Sequence, residues 1–479
     1  MSQKRFLKCL VGILFLSLFC IVCWEVVSLP AKGKDKSVLI QGIPHVRQQP
    51  DFCGEACIAM ALQKLGHTVT QDQIFDLAGV DPALGRGCIS GDMEKVLRRI
   101  GFKVGKVWHP IDPNKASTQV EGQFNNVLAD LHKGIPSIVC MHYNDQSQTS
   151  EHFRLVLGYD AKTDEVIYHE PAESKGAYRR MKRSLFIKLW PLKYKKNEWL
   201  VIRMALKAGK INVGKPAQGF TDADFAQHVM KLKSRLPKGF NFVIQPPFVV
   251  VGDESPARVR MRAEQTVKWF YTHIEKLYFP KSPAKIYDIW LFKDKASYRK
   301  YTKQIFNDNP DTPYGYCSDA HGALIMNIAT GGGTLCHEIV HAYMDSNFSR
   351  CPSWFNEGLA SLYEQCGARN GRLVGFTNWR LAGLQKEIRS GTLPSFQELL
   401  STTSWQFYHM TKGNNYAQAR YLCYYLQEKN LLTKYYQEFT KNVKQDASGY
   451  ETLKKILNEK DLTTFQKRWE KWVLTLRFP

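Results

Sequence analysis

The chain has 479 residues, of which 44% are hydrophobic and 23% are charged. This composition excludes a mostly disordered, collagenous or multi-spanning membrane protein, and the length predicts about three domains or two large ones. Lysine and arginine number 66 and the acidic residues 44, which gives a formal net charge of +22. Such an excess favours anionic partners such as nucleic acid, anionic lipid or an acidic cell-wall polymer, although a basic protein without such a partner fits equally well.

The N-terminus has the pattern of an export signal. Lys4, Arg5 and Lys8 precede an apolar run from Cys9 to Trp24. A basic segment followed by such a run is typical of a secretory signal peptide or a signal anchor. We therefore expect residues 1–31 to be the signal and the protein to be extracytoplasmic, either secreted or anchored to the membrane. Export argues against a nucleic-acid partner; a cytoplasmic protein with a buried N-terminal helix is the alternative.

Residues 38–208 combine predicted helices with later predicted strands, which indicates an α+β domain with an antiparallel sheet. Glycines end the helical patterns. The predicted helices are Cys53 to Leu65, Gln71 to Ala78, Asp92 to Ile100 and Gln123 to His132, and the predicted strands are Ser137 to His142, Phe153 to Tyr159 and Glu165 to His169.

A basic run closes this region. Lys175 to Lys196 contains nine basic residues and no acidic one, interleaved with four aromatic side chains. We interpret it as a solvated edge hairpin whose long side chains lie along the surface. A surface for an anionic membrane or cell wall is the alternative.

The second half begins after a Gly- and Lys-containing connection, Gly209 to Gln218. We assign residues 209–239 to a linker and leading helix, and residues 240–479 to a second domain. Strands are predicted at Phe248 to Gly252, Lys285 to Phe292 and Ala323 to Asn327, with a helix from about Ala257 to Leu277, and nearly everything after Thr334 is predicted to be helical.

The segment Thr334 to Met344 carries the strongest pattern, T-L-C-H-E-I-V-H-A-Y-M. His337 and His341 are four residues apart, so on a helix both rings lie on one face and are able to bind one tetrahedral ion. Glu338 lies beside them, where it can act on water activated by the metal. The pattern predicts a catalytic zinc site, and a helix with two ordinary histidines is the alternative.

A catalytic zinc ion needs a third protein ligand, and the next predicted helix offers one. The two segments H-E-I-V-H and N-E-G-L-A resemble the gluzincin metallopeptidases, in particular their peptidase MA-like branch, over about residues 240–476. The resemblance implies His337, His341 and Glu357 as ligands of Zn²⁺ and Glu338 as the general base. It also implies a zincin-type domain, mostly helical with a small β-sheet.

The gap from His341 to Glu357 has 15 residues, shorter than in the best-known gluzincins. Glu364, two turns further on the same face, is therefore the alternative ligand. Asp345, four residues after His341, is a candidate hydrogen-bond partner for an imidazole.

A later segment, N-Y-A-Q-A-R-Y-L, resembles the family helix that carries a tyrosine donor to the tetrahedral intermediate. This resemblance implies that role for Tyr416, since a developing oxyanion is stabilised by an extra neutral donor; a core aromatic is the alternative. We expect Ala323 to Asn327 and Gly331 to Gly333 to form the strand edge and loop against which an extended peptide pairs.

The first half contains a second catalytic pattern, Q-Q-P-D-F-C-G-E-A-C, which opens the first helix. Cys53 lies at the helix N-terminus, where free N–H groups and the macrodipole favour a thiolate. A nucleophilic cysteine also needs a histidine and an orienting acid. His152 begins one predicted strand and Glu170 ends the next. The order Gln, Cys, His, acid is typical of papain-like peptidases.

These residues resemble the double-glycine leader peptidases that process bacteriocins, and their peptidase C39-like relatives, over about residues 41–171. The resemblance implies a papain-like fold with Cys53 as nucleophile, His152 as base and Gln48 as oxyanion donor, with Gln49 as the alternative. The family usually has Asp-Pro where this chain has Glu-Pro at 170, but the longer acid is still able to orient an imidazole. A silent domain that binds peptides without cutting them is the alternative.

The remaining histidines and cysteines of interest have plainer interpretations. His142 and His169 are expected to be ordinary strand residues. The twelve cysteines show no zinc-finger spacing, and export permits disulfides. Cys351 and Cys366 bracket the second metal motif and are the candidate pair.

The sequence thus predicts an exported peptidase for peptide or protein substrates, with a zinc site in the second half and a Cys-His-acid site in the first. An active zinc peptidase with a silent papain-like domain is the second hypothesis. A basic surface adaptor without enzymatic activity is the third, and the metal motif argues against it.

Overall fold

The computed structural model describes residues 36–410 and 414–478. The predicted signal, residues 1–31, lies outside them. Within the described residues, no helix combines the length and the apolar character needed to cross a bilayer.

An antiparallel sheet forms the centre of the N-terminal region, as predicted. The strands described there are β1 (Val38–Leu39), β2 (Phe102–Lys103), β3 (Trp108–Ile111), β4 (Ser137–His142), β5 (Glu151–Asp160), β6 (Glu165–His169), β7 (Arg179–Lys182), β8 (Leu192–Lys195), β9 (Glu198–Ala205) and β10 (Lys207–Ala208). The sheet has the order β3-β9-β4-β5-β6-β7, with β1 beside β5 and β8 beside β9, while β2 and β10 pair separately.

Helices cover both faces of this sheet. They are α1 (Cys53–Lys64), α2 (Gln71–Ala78), α3 (Ser90–Ile100), α4 (Ala116–Leu131) and α5 (Arg183–Leu189). Along β4, Ile138 and Cys140 pack into the core under α1 to α3, whereas Val139 and Met141 pack into the core under α4 and α5. Because alternate side chains enter opposite cores, the strand is apolar at almost every position.

The basic run differs from the predicted hairpin. Helix α5 separates β7 from β8, because Phe186 and Leu189 are buried against α4. Six of the nine basic side chains form ion pairs with carboxylates of neighbouring elements, and Lys193 lies over the Trp199 ring. Most of the positive charge is therefore neutralised locally, which does not favour the anionic-surface alternative.

A small mixed sheet forms the centre of the C-terminal region. Its strands are β11 (Asn241–Gln245), β12 (Phe248–Gly252), β13 (Tyr287–Phe292), β14 (Gly315–Ser318) and β15 (Ala323–Asn327), in the order β11-β12-β13-β15-β14. β13 is parallel to both neighbours, and β11 and β14 are antiparallel additions. β15 was predicted to be an edge, but β14 pairs with its outer side, so the free edge belongs to β14.

Helices make up most of the remaining C-terminal region, as predicted. They are α6 (Asp222–Arg235), α7 (Pro256–Arg262), α8 (Trp269–Leu277), α9 (Lys295–Phe306), α10 (Gly333–Asn347), α11 (Ser353–Leu362), α12 (Arg380–Ser390), α13 (Phe396–Leu400), α14 (Ser404–His409), α15 (Asn414–Glu428), α16 (Leu432–Asn442), α17 (Tyr450–Leu457) and α18 (Leu462–Thr475). A π-helical segment, Ala263–Lys268, joins α7 to α8, and β16 (Cys366–Arg369) and β17 (Arg372–Gly375) form a hairpin.

Helix α6 contacts both regions. Ala223 and Ala226 pack into the core under α1 to α3, whereas Phe225 and Leu232 pack against the C-terminal sheet. Gln227 also donates a hydrogen bond to the carbonyl of Pro50, 2.9 Å away. The segment predicted to hold a linker and a leading helix therefore contains a helix that packs against both cores.

The predicted disulfide is wrong. The nine described cysteines all carry free thiols, Cys351 and Cys366 included. Cys366 lies beside Cys336 of α10 instead.

Candidate active sites

The N-terminus of α1 places Cys53 against the start of β5. Gly54 permits this approach, because a Cβ at that position would lie 3.2 Å from the ring of Phe153 on β5 and 2.5 Å from Sδ of Met93 on α3. The thiol of Cys53 faces the backbone N–H of Phe153, the residue that follows His152. Helix and strand thus bring the predicted nucleophile and base to one end of the sheet.

His152 is held by the predicted acid. Its Nε2 forms a short hydrogen bond with Oε1 of Glu170, and both residues are buried. The backbone N–H of Ala172 donates to the same carboxylate oxygen, 3.1 Å away. Because Nε2 is engaged, Nδ1 is the ring nitrogen that remains for Cys53.

An arginine that the sequence analysis did not single out completes this cluster. Arg154 lies two residues after His152 on β5 and is 3% exposed. Its Nε donates to Oε2 of Glu170 at 2.7 Å. Burial raises the pKa of Glu170, but the hydrogen bond and charge of His152 and the charge of Arg154 outweigh it, so the pKa lies below its usual value.

The thiol of Cys53 does not have the lowered pKa that its helical position predicted. Burial raises the pKa of Cys53 to about 12, and the carboxylates of Glu55 and Asp51 add to the rise. Removal from water therefore outweighs the helix N-terminus here. A thiolate forms at Cys53 only when a base takes its proton.

The hydrogen bonds of Gln48 and Gln49 distinguish the two candidates for the oxyanion donor. Nε2 of Gln49 donates to Asp72 at 3.1 Å, so its amide is engaged. Gln48 donates its backbone N–H to the carbonyl of Pro171 at 2.8 Å, beside Glu170, and its buried Oε1 has no hydrogen-bond partner among the described residues. Gln48 is therefore the better candidate for the oxyanion donor.

His169 is a structural residue, as expected. Its Nε2 lies 3.0 Å from the carbonyl of Ile43, and its Nδ1 accepts the backbone N–H of Tyr178.

The second site lies between α10 and α11. Gly358 allows α11 to pack closely on α15, because a Cβ there would lie 3.0 Å from the backbone of Ala419. The ligand atoms of His337, His341 and Glu357 all fall within 4.8 Å of one another. The structure thus brings together the three residues predicted to bind metal.

The geometry of these donors fits a zinc ion. The two Nε2 atoms of His337 and His341 are 3.0 Å apart and face the same point. Oε2 of Glu357 lies 3.2 Å from Nε2 of His337, is buried, and has no hydrogen bond among the described residues. Two imidazoles and one carboxylate are the donor set of many catalytic zinc sites.

Both rings have outer neighbours, but these are not all the predicted ones. Nδ1 of His341 lies 3.0 Å from Oδ1 of Asn356, whereas the predicted partner, Asp345, is exposed. Nδ1 of His337 lies 3.4 Å from Oε1 of Glu364. Glu364 thus contacts the outer side of His337, and it also pairs with Arg380 at 2.7 Å. These contacts suit a residue that orients His337, while Glu357 lies on the Nε2 side of both rings.

The charges of this cluster are tightly coupled. Burial lowers the pKa of His337, but the carboxylates of Glu357 and Glu364 outweigh it and raise the pKa to about 10. Burial raises the pKa of Glu357, but the two histidines outweigh it and hold the pKa well below its usual range.

A cleft of about 820 Å³ opens in front of the donors. Its lining includes Glu338, Tyr416 and the loop Gly331 to Gly333, together with Tyr314 before β14. Burial raises the pKa of Glu338, and the nearby histidines offset only part of the rise. A raised pKa suits a carboxylate that must exchange a proton near neutral pH.

Besides Tyr416, a tyrosine that was not predicted contacts the donor cluster. Tyr416 lines the cleft and stacks with the guanidinium of Arg380, whose centre is 5.2 Å from the ring. Tyr408, on α14, donates its hydroxyl to Oε1 of Glu357 at 2.7 Å. Tyr408 was missed because it lies on a short helix remote in sequence from the metal motif.

Together, the α+β fold and the Cys-His-acid cluster resemble those of a papain-like peptidase domain. Residues 40–197 match the Peptidase_C39 like family. Among solved structures, the peptidase domain of Streptococcus ComA, a bifunctional ABC transporter involved in a quorum-sensing pathway, is similar at 15% identity and a TM-score of 0.24. That likeness covers 35% of this chain and 99% of the ComA domain. No curated protein matches the chain. The family match therefore lies within the N-terminal region, over the residues that hold the Cys53, His152 and Glu170 cluster.

Proposed function

We propose that the protein is an extracytoplasmic peptidase, secreted or anchored by its N-terminal segment, that hydrolyses peptide bonds at a zinc site. The convergence of His337, His341 and Glu357 carries this proposal, because three oriented donors beside a cleft suit a catalytic metal ion. The C39-like domain supports a peptide or protein substrate and contributes a second, cysteine-dependent site.

At the metal site, zinc would polarise the peptide carbonyl and activate a water molecule. Glu338 takes the proton of the attacking water and delivers it to the leaving amine. Tyr416 donates its hydroxyl to the carbonyl oxygen as that oxygen gains negative charge. Asn356 orients the imidazole of His341 through a hydrogen bond, and the carboxylate of Glu364 lies 3.4 Å from Nδ1 of His337.

At the cysteine site, His152 takes the thiol proton of Cys53 through Nδ1, and the sulfur attacks the peptide carbonyl. Gln48 donates to the resulting oxyanion. The amine leaves with the proton from His152, and water then hydrolyses the thioester. Glu170 keeps the imidazole oriented throughout.

One observation favours the alternative of a silent papain-like domain that presents peptides to the zinc site. The pKa of Cys53 is raised to about 12, and Asp51 and Glu55 flank the thiol with negative charge. In an active site, His152 must overcome both effects. Iodoacetamide labelling with peptide mapping distinguishes an active cysteine site from a silent domain. In an active site, Cys53 should be labelled faster than buried Cys57, and His152→Ala should slow the labelling of Cys53. In a silent domain, both cysteines should be labelled slowly.

The function is tested by a comparison of the wild type, Glu338→Gln, Cys53→Ala and the double variant on one peptide library. Glu338→Gln should keep zinc and abolish chelator-sensitive cleavage, by several orders of magnitude in rate. Cys53→Ala should remove only thiol-sensitive cleavage. Loss of chelator-sensitive cleavage in a folded, zinc-loaded Cys53→Ala protein would show one composite site instead. Wild-type protein that binds no zinc and cuts no peptide would refute the proposal.

A further inference from the structure

Arg154 is a fully buried cation in the peptidase C39-like domain. It lies on β5 with 3% of its surface exposed, although arginine is rarely buried unless paired. Its guanidinium is satisfied on several sides. Nε donates to Oε2 of Glu170 at 2.7 Å, Nη1 donates to the carbonyl of His142 at 3.2 Å, and Nη2 donates to the carbonyl of Tyr143 at 2.8 Å.

These contacts divide the carboxylate of Glu170 between two partners. Arg154 takes Oε2, and His152 takes Oε1. Because the guanidinium is itself fixed by two backbone carbonyls at the end of β4, it leaves the carboxylate little freedom to rotate. A glutamate side chain has several rotatable bonds, and the contact between Nε of Arg154 and Oε2 restricts them.

The same contacts set the charge beside the imidazole. A buried carboxylate alone would favour a protonated His152, since an opposite charge at hydrogen-bond distance stabilises the cation. With Arg154 paired to Glu170, the imidazole faces a neutral ion pair. A neutral imidazole is the form that accepts a proton from Cys53.

We propose that Arg154 is a positioning residue of the cysteine site: it fixes one oxygen of Glu170, directs the other to His152, and neutralises the acid so that the imidazole stays free to act as base. This inference rests on the proposed cysteine-peptidase function.

Other groups around His152 bear on its protonation. Tyr143 packs edge-on against the ring, with centroids 5.1 Å apart. The thiol of Cys140 on β4 faces the backbone N–H of His152, and Cys53 approaches from α1. Glu151 precedes it on the strand and is exposed. Among the charged side chains that the structure describes, only the Arg154–Glu170 pair is both buried and in the network that contacts the ring.

The test measures the protonation of His152 directly, in the full chain. Deuterium exchange at the imidazole C2 position, followed by peptide mass spectrometry from pH 4 to 9, reports the titration midpoint of each histidine. In Arg154→Met, the unbalanced carboxylate should move the midpoint of His152 upwards by about one pH unit or more. In Glu170→Gln, the unbalanced guanidinium should move it downwards by a similar amount.

Two further variants complete the cycle. The double variant, Arg154→Met with Glu170→Gln, should return the midpoint close to the wild-type value, because both charges are gone. Arg154→Lys keeps the positive charge, so its His152 midpoint should lie close to the wild-type value. An unchanged midpoint in folded Arg154→Met, or shifts of the same sign in the two single variants, would overturn the inference. If Arg154→Met does not fold, the Glu170→Gln variant provides the test. A His152 midpoint that does not move downwards in Glu170→Gln would then refute the inference.

Failure of the proposed function has a different signature. In that case the labelling rate of Cys53 would not depend on His152, whatever the midpoints of the Arg154 and Glu170 variants. If the site is active, the rate of Cys53 labelling at neutral pH should fall at least tenfold in Arg154→Met and recover partly in Arg154→Lys.

Discussion

Asn356 places its side-chain oxygen 3.0 Å from Nδ1 of His341, while its neighbour Glu357 lies on the Nε2 side of the same ring, 3.6 Å away. Two consecutive residues of α11 therefore hold opposite sides of one imidazole on α10. Helix α11 supplies Glu357 and also orients His341, so the geometry of the proposed metal site depends on the packing of α10 against α11.

The contact between Asn356 and His341 predicts a role for Asn356 in metal affinity. Asn356→Ala should weaken zinc binding by about 10- to 100-fold, because an imidazole ligand without its outer partner is less well oriented. Asp345→Ala is the matched control, since that exposed side chain lies one turn from His341. Competition with a fluorescent chelator measures both. Equal affinities for the two variants would contradict the assigned partner.

Substitutions of the two glutamates near His337 should affect zinc binding differently. Glu357→Ala should lose zinc, because only two protein ligands remain. Glu364→Ala should keep about one zinc ion per chain and bind it more weakly, since it loses only an outer contact to His337. Metal analysis after dialysis distinguishes them. A Glu357→Ala protein with full zinc and a Glu364→Ala protein without it would reverse the assignment.

Substitutions of Tyr408 and Tyr416 should have different effects. Tyr408→Phe removes a donor to Oε1 of Glu357 and should weaken zinc binding. Tyr416→Phe leaves the ligands untouched, so it should keep zinc affinity and lower the rate of chelator-sensitive hydrolysis by about 10- to 100-fold. Zinc titration and steady-state kinetics on the same preparations make the comparison. If only Tyr408→Phe slows hydrolysis at saturating zinc, Tyr408 is the donor.

The sequence predicted the parts of each site that depend on local spacing. His337 and His341 follow from the turn of one helix, and the position of Cys53 follows from the start of another. The four-residue spacing also suggested Asp345 as a partner of His341. The structure instead uses Asn356, because helix packing, which spacing on one helix does not encode, brings α11 against the ring.

Charge was harder to predict than position. The helix N-terminus argued for a thiolate at Cys53, but burial and two neighbouring carboxylates raise its pKa to about 12. Arg154 gave no signal, since a single basic residue in an otherwise apolar strand has no pattern. Its role depends on residues of β4 and on Glu170, which only the folded sheet brings together.

Glu55 is a second buried carboxylate near Cys53, and it makes the stability of this region depend on pH. It is 0% exposed, and its Oε1 accepts the backbone N–H of Cys88 at 2.6 Å. Burial raises the pKa of Glu55 from 4.5 to about 7, and the hydrogen bond from Cys88 offsets only part of the rise.

The folded form therefore binds the Glu55 proton more tightly than the unfolded form does, so stability is greatest below about pH 4.5 for this group and falls as the pH rises to about 7. The predicted loss of stability is roughly 3 kcal/mol, since each unit of pKa difference is worth about 1.4 kcal/mol.

Glu55→Gln keeps an oxygen acceptor for Cys88 and cannot ionise, so it should remove most of this fall in stability. Native-state hydrogen exchange of the α1 amides in the full chain, from pH 4 to 8.5, measures it. Glu94→Gln, which removes only a surface pair with Arg98, should retain the wild-type pH dependence. A Glu55→Gln protein whose α1 protection falls with pH as steeply as that of the wild type would show that another group is responsible.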